Sequence, residues 1–155
     1  MKTMPRDIAR EASLPAGLSD FEGCWRLSRR IHDARVGQDG HAEGRMELIS
    51  HGSGLRYFED VLLHLPGQKP IPGTRSYIWR EEASGISVHF DDGRPFHLIE
   101  MGEFEPRALH LCDPDRYEVE YDFADWPVWG VTWTVTGPRK DYRMETLFVR
   151  EKLRG

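Results

Sequence analysis

From Gly23 onward, apolar and polar residues alternate with a period of two, the signature of strands with one face buried. Alternating segments cover roughly 24–32, 42–49, 55–65, 74–81, 85–91, 94–100, 106–112, 115–123, 128–137 and 140–150. Turn-forming stretches separate them: GQDG, SHGSG, PGQKPIPG, EASG, DDG, GEFE, DP, FADWP and GPRK. Many short strands with no helical stretch between them predict an all-β antiparallel sandwich or barrel. A meander of about 8–10 strands removes its exposed edges by closing, so a barrel is expected. Residues 1–19 read as a polar lead-in, with a short helix over Arg6 to Ala12 started by Pro5. Residues 20–153 read as one barrel domain.

Turn lengths convert the alternation into a register. A two-residue turn at Asp92-Gly93 pairs Val88 with His97. A four-residue loop at GEFE pairs His97 with His110, and a turn at Asp113-Pro114 pairs His110 with Tyr117. A loop at EASG pairs Trp79 with Val88. The expected row is therefore Trp79, Val88, His97, His110 and Tyr117, with neighbours about 5 Å apart. A turn at Pro138-Arg139 faces Trp133 with Met144 and Trp129 with Phe148. The same phasing lines the interior with Tyr57, Tyr77, Trp79, Phe90, Tyr121 and Trp133, and turns Arg29 and Glu59 inward on either side of Gly44, which leaves room for them. Buried charges cost several kcal/mol unless partnered, so these two are expected to pair or to hold a ligand. Phe96, Leu98, Leu109 and Leu111 point outward as an apolar patch, which reads as the surface of a homodimer or as a face covered by the N-terminal segment. A one-residue bulge anywhere would invert the faces beyond it.

Composition narrows the function classes. The 155 residues are 39% hydrophobic and 30% charged, with a net charge of -5, and no basic stripe offers a nucleic-acid surface. No apolar run reaches membrane-spanning length, and the N-terminal residues lack the apolar core of a signal peptide. A cytoplasmic protein is expected, with Cys24 and Cys112 as free thiols on opposite faces.

The chemistry-bearing residues gather on the inner face. His97, His110 and Tyr117 form a polar floor able to hydrogen-bond a ligand or move a proton, or to bond only to one another. Arg29 with Glu59 reads as an anchor for an anionic group or as an internal salt bridge. Arg139 and Lys140 stand at a tight turn that reads as a solvated turn or as a rim of the pocket that attracts anions. His97, His110 and Cys112 lack metal-ligand spacing, so neither a metal nor another cofactor is expected. No GxSxG nucleophile motif is present.

Two resemblances follow from particular motifs. The segment DFEGCW at 20–25 resembles the opening of calycin barrels such as lipocalins, in which a Gly-x-Trp closes one end and an Arg near the last strand packs over the Trp. The resemblance implies those parts for Trp25 and Arg150. FDDGRPFH at 90–97, HLCDPDRY at 110–117 and WTVTGPRKDY at 133–142 resemble an uncharacterised bacterial family, domain of unknown function six-three-one-four. That likeness spans about residues 20–150, implies the fold, and singles out Arg94, His97, His110, Tyr117 and Lys140.

The leading expectation is a lipocalin-like barrel binding a small, partly apolar ligand with a polar or acidic head group. Its ligand-binding residues would be Arg29, Glu59, Tyr77, Trp79, Arg94, His97, His110, Tyr117, Trp133 and Lys140. The alternatives are an acid–base enzyme (isomerase, cyclase or hydrolase) using the same pocket, and a structural homodimer with a filled barrel.

Overall fold

All ten alternating segments are strands in the computed structural model, which describes residues 14–152. They are β1 (Gly23–Asp33), β2 (Gln38–His51), β3 (Gly54–His64), β4 (Ile71–Glu82), β5 (Gly85–His89), β6 (Pro95–Glu100), β7 (Arg107–Cys112), β8 (Asp115–Asp122), β9 (Trp129–Gly137) and β10 (Lys140–Arg150). A 3-10 turn, Leu18–Phe21, precedes them. The helix expected over Arg6 to Ala12 lies outside the described residues.

The strands form one antiparallel sheet in the order β6-β5-β4-β3-β2-β1-β10-β9-β8-β7. Pairing of β1 with β10 wraps the meander round on itself, giving a nearly closed barrel. The predicted register holds at Trp79 with Val88, Val88 with His97, His110 with Tyr117, Trp133 with Met144 and Trp129 with Phe148.

The expected pairing of His97 with His110 does not form. Strands β6 and β7 lie beside each other without a hydrogen-bonded ladder and leave a seam. The reason is the loop between them, which extends the pairing of β8 instead of folding back as a hairpin. Phe123 donates its N–H to the Phe104 carbonyl at 2.8 Å, and Tyr121 donates to the Pro106 carbonyl at 2.9 Å.

The face of Phe96 is also corrected. A bulge shifts the β5–β6 register, so that His89 faces Pro95 rather than Phe96. Phe96 turns inward, 9% exposed, and stacks on Phe90 and Trp133. The outward patch loses its aromatic member, and Leu98 is half-buried. Leu109 and Leu111 remain exposed on the edge strand β7.

One end of the barrel is packed solid. Phe21, Trp25, Phe123, Trp129 and Phe148 are buried there, with Phe21 edge-on to Trp129 at 5.3 Å and Trp129 stacked on Phe148 at 4.1 Å. Fully burying an apolar side chain of Phe size contributes about 1.5–3 kcal/mol. The Trp25 indole donates to the Phe21 carbonyl at 2.9 Å. The Arg150 guanidinium covers the Trp25 ring at 4.2 Å and bonds the carbonyls of Glu22 and Asp20. That is the arrangement the calycin resemblance implied.

At Gly44 the constraint differs from the one expected. A Cβ there would lie 2.1 Å from the Asp60 carbonyl oxygen and 2.8 Å from the Val61 Cα. Glycine lets the β3 backbone close onto β2, rather than leaving space for Arg29 and Glu59.

Candidate functional site

The end opposite the aromatic plug is open, and inner-face side chains from all ten strands line the space below it. Three adjoining cavities descend the interior. The largest, about 400 Å³, is lined by Arg75, Tyr77, Phe90, Phe96, His110, Cys112, Tyr117, Trp133, Val135, Tyr142 and Met144. A second, about 170 Å³, lies against β1–β4 and includes Arg29, Glu59, Leu63, Ile71 and Arg75. The innermost, about 40 Å³, is bounded by Arg29, Glu59, Arg75, Trp79, His97, Tyr121, Trp129 and Thr146, among others. Arg75 lines all three.

Arg29 and Glu59 pair as the alternation predicts. Nη1 and Nη2 of Arg29 donate to the two Glu59 oxygens at 2.7 and 2.9 Å, and Nε donates to Thr146 Oγ1 at 2.7 Å. The Tyr57 hydroxyl donates to Glu59 Oε1 at 2.6 Å. Burial alone would raise the Glu59 carboxyl, but the Arg29 bonds and charge, aided by Tyr57, outweigh it and hold the pKa below its ordinary value. Burial, reinforced by the Glu59 charge, pushes the Tyr57 phenol well up and keeps it neutral. This planar, two-pronged pair satisfies both charges internally.

Arg75 is different, and sequence reasoning missed it. It is the cross-strand partner of Glu59 on β4, two residues before Tyr77 on the same face. The signal was available: extending the β4 alternation backward from Trp79 and Tyr77 reaches Arg75. Among the described residues it makes no ion pair. With Arg29 bonded to Glu59, Arg75 is the cation on the cavity wall that makes no ion pair among the described residues, and its side chain is exposed to solvent through the open end.

The predicted pocket residues divide between the chambers. Tyr77 and Trp133 line both the large and the innermost cavity; His110 and Tyr117 line the large one; Arg29, Glu59, Trp79 and His97 face the innermost. Lys140 stands at the mouth, with Nζ 2.9 Å from both the Tyr117 hydroxyl and Asp115 Oδ2. Its pKa is raised by the hydrogen bond to Tyr117 first and the bond to Asp115 next. Arg94 lies apart from all three cavities, exposed at the β5–β6 turn and bonded to Asp92 at 2.7 Å.

His97 bonds across the seam to β8 rather than to His110. Its Nε2 meets the Tyr121 hydroxyl at 2.7 Å. The Phe96 ring lies edge-on to both imidazoles, 4.7 Å from His97 and 5.0 Å from His110. Burial, with a smaller contribution from the charge of His110, lowers the His97 pKa to about 3. It is therefore neutral at physiological pH and a weak base. His97 Nδ1 and Trp129 Nε1 are buried without a partner among the described residues, and both side chains border the innermost cavity. Two unsatisfied polar atoms thus belong to side chains at the floor of the chamber.

Among known proteins, the model of a family described as "Family of unknown function (DUF6314)" matches residues 21–150. No curated protein sequence matches the chain. Among solved structures, the S-type phycobiliprotein lyase CPES from Guillardia theta is similar in fold, with a TM-score of 0.54 at 10% sequence identity. The match covers 88% of this chain and 92% of the lyase chain. No helix among the described residues is long and apolar enough to cross a membrane.

Proposed function

The chain belongs to the family of unknown function DUF6314, and we propose that it is a binding module for a small, partly apolar ligand with an anionic head group. The ligand enters at the open end. The observation that carries this reading is Arg75, a solvent-exposed cation without an ion-pair partner among the described residues, on the wall of an open aromatic cavity of about 400 Å³. That volume falls within the ordinary range for small-molecule sites, which combine an apolar wall with a few placed polar groups. Tyr77, Phe90, Phe96 and Trp133 supply the wall, His110 and Tyr117 supply hydrogen bonds, and Lys140, paired with Asp115 at the rim, holds the Tyr117 hydroxyl in place. The lyase shares the fold alone, so it lends an architecture that encloses a chamber and not a substrate. The free thiols Cys24 and Cys112 fit a reducing compartment such as the cytoplasm.

The test is a titration with an anionic aromatic probe, 1-anilinonaphthalene-8-sulfonate, followed by displacement with medium-chain carboxylates. A charge-assisted hydrogen bond contributes about 1.5–3 kcal/mol, so Arg75→Gln should weaken probe binding at least about tenfold with unchanged circular dichroism and Tm. Equal affinity in wild type and variant, or no saturable binding, would overturn the proposal.

A further inference from the structure

The outer wall carries a second cluster, unrelated to the interior. His41 and Glu43 are two apart on β2 and therefore share a face, and His64 is the cross-strand partner of His41 on β3. The two imidazoles stack with centroids 4.7 Å apart. Glu43 reaches toward both: Oε1 is 2.7 Å from His64 Nε2, and Oε2 is 4.0 Å from His41 Nε2. One ligand atom from each side chain lies within 4.8 Å of the other two. Among the described residues this is the group of three His, Cys, Asp or Glu side chains that converges in this way. The interior set His97, His110 and Cys112 does not.

We propose that His41, Glu43 and His64 bind one divalent transition-metal ion of the zinc class, with the remaining coordination position open to solvent. Two imidazoles and a carboxylate suit zinc and its neighbours better than calcium or magnesium, which take oxygen ligands. Tetrahedral zinc with bonds of about 2.0–2.1 Å sets its ligands about 3.3 Å apart. The three atoms must therefore draw together by at most about 1.5 Å. The side chains can do this because His41 and Glu43 are exposed, His64 is half-buried, and each turns about its own χ angles above a fixed β-ladder. Three protein ligands and a free position form an open site, able to hold water or a donor group from another molecule. His64 ends β3 at the mouth of the barrel, so a bound ion would clip β2 to β3 beside the opening.

The test is isothermal titration calorimetry of Zn²⁺ into chelator-treated full-length protein at neutral pH. The expected result is one ion per chain in the micromolar range or tighter. His41→Ala and His64→Ala should each weaken it at least about tenfold, and Glu43→Gln should weaken it less. Because all three side chains face outward, thermal unfolding of the variants without metal should match wild type, which separates lost ligands from lost fold. Ca²⁺ in excess should leave Zn²⁺ binding unchanged. Absence of saturable uptake, uptake that survives loss of both histidines, or competition by Ca²⁺ would overturn the proposal.

Discussion

At the scale of single residues, the interior is set by which charges are matched. Arg29 and Glu59 were legible as an inward pair because charges stood where the alternation demanded apolar residues. Breaking one side strands the other, so Arg29→Met should cost about 3–5 kcal/mol in urea denaturation, and the double change to Met at both sites should cost less than either single one. Since the folded pKa of Glu59 is depressed, its contribution is present above the unfolded value of 4.5 and is lost as the pH falls through the folded one. His97 acts in a higher window. Its folded pKa of about 3 lies below the ordinary 6.5, so the unfolded chain takes up the proton first. Stability is full above pH 6.5 and declines as the pH falls toward 3. His97→Gln should flatten the urea-denaturation profile between pH 6.5 and 4.5, where the Glu59 contribution is fully present and does not vary with pH; an unchanged slope would show that His97 is not the group responsible.

At the scale of elements, strand positions were readable because alternation and turn residues report them redundantly; their faces were not always readable. Phe96 is itself the extra residue of a bulge that turn counting cannot see, so Asp92-Gly93 gave the right Val88–His97 pair and the wrong face for its neighbour. Arg75 was lost for the opposite reason, since its strand was read as starting only one residue earlier, although its face was deducible. The close approach of β2 and β3 depends on Gly44, where any Cβ would meet backbone at 2.1 Å, whereas a Cβ at Gly73 would meet only a Val61 methyl at 3.8 Å. Gly44→Ala should therefore lower Tm by several degrees or more, while Gly73→Ala should leave it nearly unchanged, as scanning calorimetry would record. Equal effects at the two sites would remove the close-packing explanation.

At the scale of the whole molecule, the order of strands was legible and the completeness of closure was not. Adjacent-strand reasoning predicts every ladder of the meander, but it treats the GEFE loop like any other turn. The long-range choice of that loop to lie along β8 decides that β6 and β7 remain unpaired. Strands held by one ladder open more readily than strands held by two. Amide exchange followed by mass spectrometry should show β6 and β7 losing protection before β1, β2 and β10; uniform protection would mean that the seam is sealed.

A cylinder hydrogen-bonded all the way round has a fixed girth, because widening it breaks backbone bonds. A split hoop does not share that limit. Along β6 and β7, the two lips are bridged by side chains alone: His97 reaching Tyr121 and Phe96 lying against His110 and Trp133. Spreading the lips costs those contacts and leaves every ladder intact. The chamber is thus built to accept guests of different bulk by flexing at one line, with its aromatic floor and Arg75 carried on the unbroken arc.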